Sequence, residues 1–108
     1  MSSWFLLVSA IVFEVCGTTS MKLSEGFTKL APSVAIFLLY SLSFISLTYA
    51  IKRIDLAVAY AIWSGLGTAL VAVVGFLCFG EAFTLFKVAS LGLIVAGVYG
   101  LHLSGGIH

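Results

Sequence analysis

Four long runs of apolar residues, joined by links of only a few polar residues, leave this chain very few ways to fold. The runs span about residues 4–21, 33–51, 56–79 and 86–104. Each holds about 18–24 residues, which as a helix crosses a hydrocarbon layer about 30 Å thick. Lipid offers no partner to a backbone N–H or C=O, so only helices and closed barrels cross it. These runs do not alternate as barrel strands do. The predicted fold class is therefore all-α: four transmembrane helices in a single domain over residues 1–108. A chain that is 62% hydrophobic and 8% charged lacks the polar surface of a soluble domain, in agreement with this.

The links carry the expected punctuation. Pro32 suits the first turn of the second helix. Lys52, Arg53 and Asp55 end that helix, and Gly80 and Glu81 end the third. Thr84 is placed to cap the fourth. The tail 105–108 is predicted to fray. The first run lacks a basic n-region and holds a carboxylate, so it reads as a retained span rather than a cleaved signal. A net charge of +1 with no basic run gives no case for a nucleic-acid partner. Cys16 and Cys78 form no CxxC pattern and read as small buried hydrophobes. His102 and His108 have no carboxylate partner in sequence and are assigned no chemistry. No catalytic or metal-binding constellation falls within the spans, and no cofactor is implied. The chain reads as a non-enzyme.

Glu14 is the exception in this apolar chain. At 1.5 Å per residue it lies about 15 Å in from Trp4, near the middle of the layer. A charge there costs at least ~2.5–3.5 kcal/mol on insertion scales. No Lys or Arg lies at matching depth in any span. An intramembrane acid of this kind is a candidate functional site; the alternative is a polar tie to a neighbouring helix. Ala10, Glu14, Gly17 and Thr18 fall on one helix face, which Leu7 and Ile11 extend. Small side chains there leave room beside the carboxyl, and Thr18 offers a hydroxyl one turn away.

Other spans supply candidate lining residues. The second has Tyr40 and Ser43. The third has Tyr60, Trp63 and Ser64, with Tyr60 and Trp63 on one face. An aromatic wall beside a carboxylate suits a lipophilic cation, since ring faces attract positive charge. Tyr60 and Trp63 also fit an interfacial aromatic belt. Gly65 and Gly67 are candidate hinge residues within the third span, close helix packing being the other reading. In the fourth span, small residues at Ala96, Gly100 and Ser104 with Gly97 beside them suit close helix association.

Four helices do not readily enclose a hydrophobic guest, whereas a pair of chains does, with both Glu14 side chains facing one chamber. A carboxyl in an apolar site resists ionisation, and a like charge beside it adds to that resistance. Protons and a cation then compete for the site, each displacing the other by linkage. Loading and unloading on opposite sides makes this competition antiport, with protons as the coupling ion. The basic residues support a particular pairing. Lys52 and Arg53 lie on one side of the membrane, against Lys22, Lys29 and Lys87 on the other. So even a count predicts insertion in both orientations, the alternative being one orientation fixed by the small bias.

The residues also carry a resemblance. Phe13-Glu14-Val15-Cys16-Gly17-Thr18-Thr19 and Met21-Lys22-Leu23-Ser24-Glu25-Gly26-Phe27-Thr28 are similar to the first helix and link of small multidrug resistance transporters. Pro32-Ser33, Tyr40 and the stretch Ala59-Tyr60-Ala61-Ile62-Trp63-Ser64-Gly65-Leu66-Gly67 match as well, so that the resemblance covers essentially the whole chain. It implies an antiparallel homodimer in the bacterial inner membrane that exports cationic compounds in exchange for protons. It casts Glu14 as the shared proton and substrate site, lined by Tyr40, Tyr60 and Trp63, with Thr18 nearby. Gly17-Thr18-Thr19 resembles the quaternary-ammonium, multidrug branch; guanidinium exporters usually carry a Trp near that position. The family's dimer contact maps onto Ser90 and Gly97, where Ser90 replaces a usual Gly. The competing readings are export of guanidinium or polyamines, and an accessory membrane subunit with no transport of its own.

Overall fold

In the computed structural model, which describes residues 3–104, the apolar runs form four α-helices: α1 (Ser3–Leu23), α2 (Leu30–Ala50), α3 (Leu56–Phe79) and α4 (Leu85–Leu103). The expected fraying at 105–108 and His108 lie outside the described residues. All four helices are long and apolar enough to cross a membrane. Large apolar side chains such as Phe37, Leu77, Phe86 and Leu93 stand exposed along them, a surface that lipid covers and water does not tolerate. The chain is a multi-pass membrane protein.

The helices stand in a row rather than a closed bundle. α1 packs between α2 and α3, and α4 packs chiefly on the far side of α3. The chain is accordingly thin, with extents of 43 × 34 × 17 Å. One helix with its side chains is already about 10–12 Å across, so the array is little more than one layer deep.

Its tightest packing is at one end. Leu7 and Ile11 of α1, Ala50 of α2, Ile54 of the following link and Val58, Ala59 and Ile62 of α3 form one buried cluster. Ile54 is 0% exposed because the link folds back on the end of α2, with its N–H donating to Ala50 O at 3.1 Å. Val98 and Leu101 of α4 pack against the same cluster, and the His102 ring meets Trp4 edge-on at 4.8 Å.

The links show where local chemistry decides the chain's course. Pro32 sits in the first turn of α2, where its missing N–H has no helical partner to lose. The link before it is more ordered than a run of polar residues suggests. Ser24 is 1% exposed, its hydroxyl donates to Met21 O at 2.8 Å and accepts from the Phe27 N–H at 3.2 Å. Glu25, Gly26 and Phe27 all take positive φ around it, a conformation that is easy only for the glycine. At the end of α3, Gly80 adopts φ 65° and the chain turns with a left-handed cap. Thr84 caps α4 as its position predicts, accepting from the Lys87 N–H at 3.2 Å.

One expectation fails. Cys16 and Cys78 are not buried but exposed, each on a helix face with no neighbouring helix against it. A row has two open faces where a bundle has a core, so apolar residues face outward on both.

Candidate functional site

Glu14 lies midway along α1, where α2 and α3 both lean on that helix. Its two carboxyl oxygens have different surroundings. Oε1 accepts a hydrogen bond from Thr18 Oγ1 at 2.9 Å, one helical turn on. Thr18 Oγ1 in turn shares a short hydrogen bond with the Tyr40 hydroxyl of α2. A threonine has one hydroxyl proton, so when it donates to Glu14 the Tyr40 hydroxyl must donate to it. Tyr40 OH also lies 3.8 Å from Met21 Sδ. Oε2 is buried and has no hydrogen-bond partner among the described residues. It rests against Gly67 of α3, where an added Cβ would lie 2.6 Å from it. A buried carboxyl oxygen without a partner is costly, and a proton, a water or an ion can supply the missing partner.

A second set of polar groups fixes the aromatic residues. Ser43 is 0% exposed and donates to the Ala10 carbonyl at 2.6 Å. Its hydroxyl oxygen accepts from the Trp63 indole N–H at 3.2 Å. Side chains from α2 and α3 thus meet over α1 at Ala10, and the indole is held by its only donor. A line of rings results. Tyr40 stacks on Phe44 at 6.0 Å between centroids, Phe44 meets Trp63 at 6.0 Å, and Trp63 meets Tyr60 at 5.4 Å. Tyr60 is 55% exposed at the end of that line.

The remaining candidates fall into distinct places. Leu7 and Ile11 belong to the packed cluster, and Ala10 lies under α2 and α3. Gly17 is buried under α2, with Leu39 and the Tyr40 ring against it, so its lack of a side chain admits α2 rather than opening space at the carboxyl. Ser64 Oγ bonds to the Tyr60 carbonyl within α3 at 2.8 Å. α3 runs unbroken through Gly65 and Gly67. Gly65 lies beneath Ile94 and Val98 of α4, so both glycines are points of close approach. Ser90 Oγ bonds back to Phe86 O, and Gly97 is exposed with open space where a Cβ would stand.

Phe44 and Met21 join the site without having been singled out in sequence. Phe44 has a legible signal, since it follows Tyr40 by one turn on the same face of α2. Met21 has none beyond apolar character. Gly67, a hinge or close-packing candidate in sequence, has the Glu14 carboxyl packed against it.

Similarity to known proteins follows the same residues. The sequence profile described as Small Multidrug Resistance protein matches residues 2–94. The chain is 54% identical to the membrane protein YvaE of Bacillus subtilis, over 94% of this chain and 85% of that one. It is 50% identical to the multidrug resistance protein EbrB of the same organism, over 91% and 84%. It is 44% identical to the quaternary ammonium compound-resistance protein QacE of Escherichia coli, over 95% and 94%. Both the profile and the relatives span Glu14 and the line of rings, and the chain belongs to the small multidrug resistance family.

Proposed function

We propose that the protein exports lipophilic and quaternary-ammonium cations across the bacterial inner membrane in exchange for protons, with Glu14 holding one or the other in turn. The observation that carries this reading is the buried, unpartnered Glu14 Oε2 beside a line of four aromatic rings. One oxygen is held by Thr18, which orients the carboxyl, and the other is left for the exchanging species. Ring faces add attraction for a cation that has left its water behind. Relatives named for resistance to drugs and quaternary ammonium compounds support efflux of such cations. The chain is a transporter by this reading and not an enzyme.

A row of helices one layer deep does not enclose a guest. We therefore infer a second copy of the chain closing the chamber, in the opposite orientation, with Gly97 and Ser90 at the contact. The near-even split of basic residues supports both orientations. Two carboxyls in that chamber make proton and cation mutually exclusive occupants. Flexing of α3 at Gly65 and Gly67 is the accompanying proposal for the movement between sides.

The test is reconstitution of the purified protein into liposomes with an imposed proton gradient. Tetraphenylphosphonium should accumulate against its gradient with the natural chain and not with Glu14→Gln. Gradient-driven accumulation by Glu14→Gln, or none by the natural chain alone, overturns the reading.

A further inference from the structure

The end of the molecule opposite the packed cluster holds a cavity of about 360 Å³ between the last turns of α1 and α3. Its inner limit is Thr18, the residue that donates to Glu14 Oε1. Its walls are apolar, with Met21, Val71, Val74 and Phe79 among them, and its mouth is flanked by Lys22 and Glu81. Lys22 and Glu81 form an ion pair there, with Nζ 3.7 Å from Oε2. The same ammonium lies 6.0 Å from the centroid of the Phe79 ring. A positive charge at the mouth of the cavity is thus already held between a carboxylate and an aromatic face.

Glu81 is positioned for this by the backbone. Gly80 turns the chain at the end of α3, and the Glu81 N–H donates to Gly75 O at 3.1 Å. The carboxyl folds back onto Gly75, where a Cβ would overlap it. It therefore lies over the cavity mouth while still touching solvent. The pair is open to solvent, at 61% and 52% side-chain exposure. Exposed pairs of this kind are weak and exchange partners readily.

We propose that Glu81 and Phe79 form an outer site for the transported cation, at the mouth of the cavity that ends at Thr18, the hydrogen-bond partner of Glu14, and that Lys22 occupies this site with its own ammonium until a cation displaces it. The site takes the same ligands as Glu14, lipophilic monovalent cations, because it offers the same pair of attractions, a carboxylate and a ring. This rests on the proposed function, since it supplies the approach to the site named there. Lys22 then acts as a tethered competitor: it keeps the mouth filled in the resting molecule and withdraws only when a charge of the same sign replaces it.

An outer site that a cation crosses on its way to another changes how fast the inner site fills and empties, not how tightly it holds. The measurement is the association and dissociation rates of tetraphenylphosphonium with the purified full chain at low salt. Glu81→Gln should slow both rates together, roughly tenfold, the lower end of electrostatic rate effects. Its equilibrium Kd should stay unchanged, which also shows that the variant folds. Lys22→Gln, which removes only the competitor, should speed both rates together. Raised salt should shrink the Glu81→Gln effect. Unchanged rates in both variants overturn the proposal. So does slowed association with unaltered dissociation, which makes Glu81 a distant charge and nothing more. If Glu81→Gln fails to fold, an unaltered rate in Lys22→Gln still overturns it. Glu14→Gln separates the two readings: full binding there defeats the proposed function whatever Glu81 does, and loss of binding there leaves the outer site to be judged on its own rates.

Discussion

Gly67 does more at the central carboxyl than its size suggests. Any side chain there collides with Glu14 Oε2, because even a methyl group would come within 2.6 Å. Gly67→Ala should therefore displace the carboxyl and break its alignment with Thr18. Overpacking of this kind costs about 1–3 kcal/mol, and tetraphenylphosphonium titration should show a Kd weaker by roughly fivefold or more. Ser43 carries a different load. Ser43→Ala leaves the Trp63 indole N–H without its acceptor and takes from the Ala10 carbonyl, already bonded within α1, its second donor. The orphaned indole N–H costs about 1–3 kcal/mol, which should lower the thermal midpoint in detergent; Ser43→Thr, which keeps the hydroxyl, should lower it less. Glu14 itself was legible in sequence because a charge at mid-membrane stands out against everything around it. The partners of Ser43 were not, because a serine inside a span reads the same whether it bonds its own helix, as Ser64 does, or two others.

At the scale of elements, the four helices follow from run length and from what lipid forbids, and the structure places them within a few residues of the predicted bounds. α1 runs on through Lys22 to Leu23, because a polar residue at a membrane surface does not stop a helix, and α2 starts earlier, at Leu30, because Pro32 fits its first turn. The 24–29 link was not legible: its order depends on one buried hydroxyl, Ser24, and on positive φ at residues that do not advertise it. The cap on α4 was legible, since Thr84 stands directly ahead of the apolar run. α4 has no buried residue among those described, so it leans on its own cap more than its neighbours do. Thr84→Ala should cost about 1 kcal/mol and show as faster amide hydrogen exchange confined to the first turn of α4.

For the whole molecule, the spatial order α2, α1, α3, α4 was beyond the reach of hydropathy, which finds spans but not which spans touch. The sequence did carry the argument for a second copy, in the mismatch between four helices and an enclosed guest. If opposed copies make the working unit, function requires a population inserted each way. Adding two lysines to the link that holds Lys29 should bring its side to five basic residues, against Lys52 and Arg53 on the other, and give a single orientation. Reporters fused at the C-terminus should then read one side only, and export should fall with the loss of the opposed partner. Export at the natural level from a uniformly oriented population contradicts that pairing.

The buried cluster at the Leu7 and Ile54 end has a mechanical consequence. Tight packing there, with an exposed ion pair and an open cavity near the opposite end, makes the cluster the natural fulcrum for tilting between α1 and α3. A tilt of about 10° about that fulcrum swings Lys22, which lies about 17–22 Å along α1 from Ile11 and Leu7, by about 3–4 Å. The lever is longest where Lys22 meets Glu81, so a small rotation that barely disturbs the cluster parts the mouth of the cavity by more than the width of a water molecule.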